Sequence, residues 1–138
     1  PAAAAAAHFS RRLAFETDCA DVHAAMRAGA ADFVLVDVRS PSAFGRAHVP
    51  GAVNIPHATI TAERMAEFQG GTLFVVYCAG PHCNGADRAA ARLARLGLPV
   101  KVMIGGMTGW ADEGLPFEDG GALGAAPVPV GAAASCGC

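Results

Sequence analysis

The sequence predicts an α/β fold of three layers, in which a mostly parallel central sheet carries helices on both faces. The first observation is a set of short apolar runs, over residues 33–38, 72–78 and 99–104, that have the length and continuous hydrophobicity of strands buried on both faces. The second observation is that helical segments separate these runs. Strands that alternate with helices form a parallel sheet, because each helix returns the chain to the same end of the sheet.

Glycines and a capping residue mark the ends of the predicted helices. Gly29 and Gly97 lie where a helix end favours a residue that is free to adopt positive φ. Thr61 is a candidate N-cap, and a short helix that holds Trp110 follows the turn at Gly105-Gly106. The other helices are predicted over residues 2–14, 21–28, 61–68 and 86–96, and residues 49–56 form a turn followed by a short strand.

Length and charge predict one domain with small partners. The chain has 138 residues, which suits a single domain: an N-terminal helix in residues 1–15, an α/β domain in residues 16–118 and a flexible Gly/Ala/Pro-rich tail in residues 119–138. Ten basic and 12 acidic residues give a net charge of -2 without a basic block, so nucleic acid is not an expected partner. No apolar stretch reaches the length of about 18 residues that a membrane span requires, so no membrane partner is expected.

Cysteine usage predicts a reducing, cytoplasmic setting. The number of cysteines is odd, and the chain is too large to need a disulfide framework. No metal or cofactor is expected, because the two loop cysteines with His82 are spaced more widely than a common zinc site. The terminal Cys136-Gly137-Cys138 is open to metal binding, to sulfur acceptance, to contact with the loop, or to no role at all. The five cysteines are Cys19, Cys78, Cys83, Cys136 and Cys138.

The loop after the second predicted strand is the candidate site. Ligands of parallel sheets bind beyond the carboxyl ends of strands, and Cys78 lies at such an end. Backbone N–H groups of the loop and the following helix N-terminus form a nest for an anion, so the pKa of a cysteine there is expected to fall below about 8.5. The predicted anion-binding residues are Ala79, Gly80, Pro81, His82, Asn84, Gly85 and Arg88.

Two thiols compete for the role of nucleophile. Cys78, at the strand end, is preferred, and Cys83 is either a second thiol or the alternative nucleophile because it begins a Cys-x4-Arg spacing with Arg88. His82 either donates to a bound anion or faces water, and Arg88 either reaches the anion or is a solvated residue. A cysteine at the end of a buried strand is commonly an inert small hydrophobe, so the case for Cys78 depends on the loop as a whole.

Three ordered motifs resemble the rhodanese family. Their positions are Asp37-Val38-Arg39 with His48-Val49-Pro50-Gly51-Ala52, then Val75-Val76-Tyr77-Cys78, then Gly105-Gly106 with Trp110 and Gly114-Leu115-Pro116. The resemblance implies a sulfurtransferase in which Cys78 carries a persulfide within a loop of backbone amides, with Asp37 and Arg39 as supporting residues. It also implies a small-molecule donor such as thiosulfate, and a thiol, a protein or another thiophilic acceptor.

The candidate loop departs from the usual family pattern. Five residues after Cys78 the family has an arginine, whereas this chain has Cys83, and the loop is about three residues longer. Longer loops resemble those of family members linked to phosphatase or arsenate chemistry, and the two cysteines resemble a bacterial subgroup. Two alternatives therefore stay open: an oxyanion enzyme of the same fold (a phosphatase or arsenate reductase), and a non-catalytic redox-sensing or binding module.

Overall fold

A computed structural model describes residues 1–119 of the chain. The predicted tail, with Cys136 and Cys138, therefore lies outside the described residues except for Asp119. The strands are β1 (Glu16–Asp18), β2 (Phe33–Asp37), β3 (Val53–Asn54), β4 (Leu73–Tyr77) and β5 (Val100–Ile104). The helices are α1 (Ala2–Phe15), α2 (Cys19–Arg27), α3 (Pro41–Arg46), α4 (Ala62–Met65), α5 (Gly85–Arg95) and α6 (Gly106–Asp112), with a 3-10 turn at His57–Thr59.

The five strands form one parallel sheet in the order β1-β5-β4-β2-β3. β4 lies at its centre, where Tyr77 is opposite Asp37 of β2. The carboxyl ends of the two strands thus meet at one edge, directly before Cys78. The predicted parallel sheet is confirmed.

Alternating side chains of the strands face two separate cores. Val36 and Val76 pack on one face with Leu93 of α5, whereas Val75 packs on the other face with Trp110 of α6. Each core buries apolar surface that the sheet alone would leave in water, and this burial is the main driving force for the three layers. The predicted arrangement of helices on both faces is confirmed.

Three short elements were not predicted from the sequence: β1, α3 and the 3-10 turn at His57–Thr59. β1 is polar and only three residues long, and its pairing with the edge of β5 is what makes it a strand. α3 begins after Ser40, whose hydroxyl accepts the Ala43 N–H at 3.2 Å, and Pro41 occupies its first turn. The sequence contained this capping signal.

The helix predicted over residues 61–68 is shorter than expected. Thr61 caps it as predicted by accepting the Arg64 N–H at 3.2 Å, but α4 ends at Met65. Gly70 and Gly71 follow closely, and glycine disfavours helix because it loses the most conformational freedom.

α1 follows the predicted N-terminal helix, but none of its side chains is buried. Phe9, Leu13 and Phe15 are among its exposed apolar residues. Among residues 1–119, no helix combines the length and hydrophobicity needed to cross a bilayer.

Candidate active site

The chain after β4 is held by α6, which packs directly against the backbone of Cys78 and Ala79. The Met107 N–H donates to the Cys78 carbonyl at 3.1 Å, and the Thr108 N–H donates to the Ala79 carbonyl at 2.9 Å. Gly106 has φ +56°, and a Cβ at this position would overlap the Cys78 carbonyl oxygen. The Gly105-Gly106 turn therefore allows the close approach that fixes the start of the loop.

The loop turns back on itself and brings the two candidate nucleophiles together. The Cys83 N–H donates to the Gly80 carbonyl at 3.1 Å, which closes a turn between the two cysteines. The Sγ atoms of Cys78 and Cys83 are 2.8 Å apart, a distance longer than an S–S bond of about 2.05 Å. The loop therefore brings the two sulfurs to the same point, where Cys83 is disulfide-bonded.

Backbone amides reach both sulfurs, yet burial decides the ionisation of Cys78. The Gly85 N–H, at the start of α5, donates to Cys83 Sγ at 3.4 Å. Burial raises the pKa of the Cys78 thiol, the amides of Ala79 and Gly85 lower it, and the net shift is upward. The expectation of a lowered pKa is therefore wrong for Cys78. The free energy lost when a thiolate is removed from water exceeds the free energy gained from two N–H donors.

A cavity of about 230 Å³ opens at the two sulfurs. Gly80 and Pro81 of the loop line it, together with Glu16 and Asp87. Glu16 also pairs with Arg12 of α1, at 3.0 Å between Nε and Oε2. Among the described residues that line the cavity, the charged side chains are carboxylates, so this mouth offers an anion no cationic side chain.

The polar side chains of the predicted loop residues lie on the outer surface of the loop. Arg88 is exposed, and its Nε donates to Asn84 Oδ1 at 3.0 Å, so this guanidinium is turned back along α5. His82 is exposed as well. Of the two alternatives for Arg88, this geometry corresponds to the solvated one.

Asp37 and Arg39 form a closed polar corner beside the loop. Arg39 donates to Asp37 from Nη2 at 2.7 Å and from Nε at 3.0 Å, and its Nη2 also donates to the Ala47 carbonyl at 2.7 Å. The Tyr77 hydroxyl donates to Asp37 Oδ2 at 2.8 Å and accepts the Val49 N–H at 3.1 Å. Every partner of the buried carboxylate is therefore a strong donor, which is how a buried charge is stabilised.

Tyr77 is a supporting residue that the sequence analysis missed. Burial and the nearby Asp37 carboxylate raise the pKa of Tyr77 well above its usual value, so its hydroxyl stays protonated and donates. Since Tyr77 directly precedes Cys78, the polar corner anchors the strand that carries the thiol. A tyrosine in an otherwise apolar strand was the available signal, because a buried hydroxyl requires a partner.

Comparison with known proteins places this geometry in a family. A model of the rhodanese-like domain matches residues 18–113. The chain is 41% identical over 99 residues to the HTH-type transcriptional regulator Rv0324 of Mycobacterium tuberculosis, a match that covers 71% of this chain and 43% of the regulator. The chain thus spans less than half the length of that relative.

Solved structures give the same result. The crystal structure of the BH2092 protein from Bacillus halodurans aligns with a TM-score of 0.83 and 35% identity, over 87% of this chain and 88% of that chain. A thiosulfate sulfurtransferase from Pseudomonas aeruginosa aligns with a TM-score of 0.64 and 24% identity, over 80% of this chain and 21% of that chain. The second likeness concerns the fold alone. With the parallel sheet, the cysteine loop after β4 and the family match over most of its length, the chain belongs to the rhodanese-like domain family.

Proposed function

We propose that this protein is a sulfurtransferase that carries sulfane sulfur as a persulfide on Cys78. The observation that carries the proposal is the position of Cys78 Sγ, which lies at a cavity beyond the carboxyl end of β4 and within reach of the Ala79 and Gly85 amides. The donor is a small molecule, the acceptor is a thiol or another thiophilic group, and the reducing cytoplasm suits this thiol chemistry.

The reaction consists of two exchanges at sulfur. Cys78, as thiolate, attacks the sulfane sulfur of the donor, the S–S bond of the donor breaks, and the donor remainder leaves with the bonding electrons (as sulfite when the donor is thiosulfate). The outer sulfur of the resulting persulfide then passes to the acceptor, and Cys78 leaves as thiolate. No net oxidation of the protein occurs.

A persulfide on Cys78 can be anionic even though burial disfavours the Cys78 thiolate. The charge of a persulfide anion lies on the outer sulfur, about 2 Å beyond Cys78 Sγ. Cys78 is 2% exposed and lines the cavity, so the outer sulfur would extend from the buried Sγ toward the cavity. Because solvation of an anion improves away from the apolar core, the loaded form carries its charge at lower cost than the resting thiolate.

The charge at the cavity favours sulfur transfer over the oxyanion alternative. Glu16 and Asp87 line the cavity, whereas a phosphatase or arsenate reductase needs cationic or dense backbone donors for a tetrahedral anion. The same carboxylates repel thiosulfate, which is a dianion. An alkyl persulfide therefore serves as a second donor beside thiosulfate.

Thiocyanate formation from cyanide, with thiosulfate or an alkyl persulfide as donor, tests this proposal. Cys78→Ser is expected to lower the rate by at least about a thousandfold, because a serine hydroxyl cannot hold a sulfane sulfur. Cys19→Ser is the matched control, since Cys19 is buried on the other face of the sheet. Activity that survives in Cys78→Ser and is lost in Cys83→Ser would move the nucleophile to Cys83, and no turnover of either donor would reject the proposal.

Redox sensing is a second candidate, and two observations favour it. The Sγ atoms of Cys78 and Cys83 are in contact, at 2.8 Å, and the relative Rv0324 is named a transcriptional regulator. A sensor would change the disulfide state of the loop cysteines under mild oxidation without turning over a sulfane donor. Thiocyanate formation measured beside thiol counting after peroxide treatment separates the two functions.

A further inference from the structure

We propose that the sulfur donor of this site is an alkyl persulfide whose alkyl arm carries a positive charge, and that Asp87 selects it. This inference rests on the proposed function, because it concerns the donor that loads Cys78. It names the chemical class of the donor as an aminoalkyl persulfide. It also makes Asp87 a specificity-determining residue, with Glu16 in a weaker second role.

The charge of the cavity at Cys78 is the first observation. Two charged side chains are found among the described residues that line it, and both are carboxylates, Glu16 of β1 and Asp87 of α5. Val102 and Ile104 contribute apolar wall. Carboxylates beside walls of low dielectric attract a cation and repel an anion more strongly than they would on an open surface. The cavity therefore favours a donor with a positive group.

The two carboxylates differ in how far their charge is already compensated. Glu16 pairs with Arg12 at 3.0 Å between Oε2 and Nε, so its field at the cavity is reduced. In the described part of the chain, no basic side chain forms an ion pair with Asp87. The neighbouring Arg88 donates to Asn84 Oδ1 at 3.0 Å and does not line the cavity. Asp87 therefore supplies most of the attraction for a positive group.

The burial of Cys78 determines where the alkyl arm of a donor lies. Cys78 is 2% exposed and lines the cavity, so a donor approaches its Sγ from the cavity. Displacement at sulfur requires the attacking atom, the attacked outer sulfur and the leaving inner sulfur to lie close to one line. The outer sulfur stays on Cys78, and the alkyl thiolate leaves with the bonding electrons. The leaving sulfur and its arm thus point away from Cys78 into the cavity, where a positive group on the arm meets the field of Asp87.

Asp87 also lies in the first turn of α5, where a carboxylate stabilises a helix through the helix dipole. A purely structural role of this kind would affect every donor equally, whereas selection by charge has opposite effects on positive and negative donors. Glu63 is a matched control, because it is an exposed carboxylate in the first turn of α4 and does not line the cavity.

A series of three donors tests the proposal on the full chain. The donors are persulfides with the same two-carbon arm, which ends in an ammonium, a hydroxyl or a carboxylate group. Thiocyanate formation from cyanide gives kcat/KM for each donor, after subtraction of the rate with Cys78→Ser. We expect kcat/KM to fall about fivefold at each step from ammonium to hydroxyl to carboxylate at low salt. In 1 M salt, where charges are screened within about 3 Å, the order should nearly vanish.

Asp87→Asn should slow the ammonium donor about threefold, accelerate the carboxylate donor about threefold and leave the hydroxyl donor nearly unchanged. Asp87→Glu, which keeps the charge, and the control Glu63→Gln should both retain the original order. Equal kcat/KM for the three donors in the unmodified protein, or an equal loss with all three in Asp87→Asn, would overturn the inference. If none of the donors reacts faster than with Cys78→Ser, the proposed function itself fails, and that outcome is distinct.

Discussion

Two buried ionisable groups, Asp37 and Cys78, lie side by side at the carboxyl edge of this sheet. They differ in the hydrogen-bond donors that surround them. In the polar corner, the side chains of Asp37 and Arg39 are 0% and 3% exposed and pair at 2.7 Å. In the loop, Cys78 is 2% exposed and reached by two amides. The carboxylate is surrounded by donors, whereas burial outweighs the two amides and raises the pKa of the thiol.

The difference shows that two equally buried groups can differ in how many hydrogen-bond donors the fold supplies to them. Asp37 has a guanidinium, a hydroxyl and a backbone N–H as donors, so its charge is compensated. Cys78 lies near the same pair, but Asp37 raises and Arg39 lowers its pKa, so the two charges oppose each other. The corner therefore supports the strand, and the loop holds a thiol that becomes anionic when it is deprotonated.

Breaking the polar corner should produce the largest effect. Asp37→Asn keeps the shape but leaves the buried Arg39 charge uncompensated, so we expect a loss of about 3–5 kcal/mol in the free energy of unfolding. Arg12→Gln is the control, because the Arg12 and Glu16 side chains are 51% and 35% exposed, and the loss of such a pair costs at most about 1 kcal/mol. Urea denaturation measures both; equal losses would contradict the comparison.

Disturbing the loop support should have a smaller effect on stability. Gly106→Ala adds a Cβ against the Cys78 carbonyl, whereas Gly114→Ala meets nothing within 4 Å, although both glycines have positive φ. Both variants lose about 1–2 kcal/mol from the backbone strain, and Gly106→Ala loses about 1–3 kcal/mol more from the overlap. Thermal unfolding and thiocyanate formation measure the two effects.

Activity should fall in Gly106→Ala alone, because only that substitution displaces the start of the cysteine loop. A Gly114→Ala protein with the same loss of turnover would show that α6 does not position Cys78. The pair of variants thus separates the strain of positive φ from the contact with the loop.

The smallest effect is a shift in the pH at which the thiol reacts. Because the pKa of Cys78 is raised, its thiolate fraction is small at neutral pH and increases as the pH rises through the raised pKa. An ordinary cysteine has a pKa of about 8.5. The rate of Cys78 alkylation by iodoacetamide, mapped by peptide mass, should therefore continue to increase above that pH.

Cys19 is the internal reference for this titration. Burial and the carboxylates of Asp18 and Glu113 raise the pKa of Cys19 to about 11, so its alkylation should lag behind that of Cys78 until strongly alkaline pH. A Cys78 rate that is already constant from pH 7 upward would mean that the loop lowers the pKa of Cys78, which would contradict the dominant effect of burial.

Local signals account for most of the fold that the sequence predicts. The apolar runs of β2, β4 and β5 are continuous because both faces of the sheet are covered, so their hydrophobicity is visible without tertiary information. β1 was missed because its polar residues Glu16 and Asp18 carry no such pattern, and only β5 makes them a strand. The candidate site follows from the same signal, because Cys78 comes directly after a recognisable strand.

Sequence by itself thus determined that a parallel sheet places Cys78 at its carboxyl edge, ahead of a loop that contains a second thiol. Only the tertiary structure decided that Cys83 contacts Cys78, that Tyr77 donates to Asp37, and that burial raises the pKa of Cys78. The physical reason is that the spacing of residues along the chain reflects local structure only. Contacts and pKa shifts depend on burial, and burial is produced by segments that are distant in sequence. For Cys78 the segment is α6, which is 28 or more residues away in sequence and directly against its backbone in space.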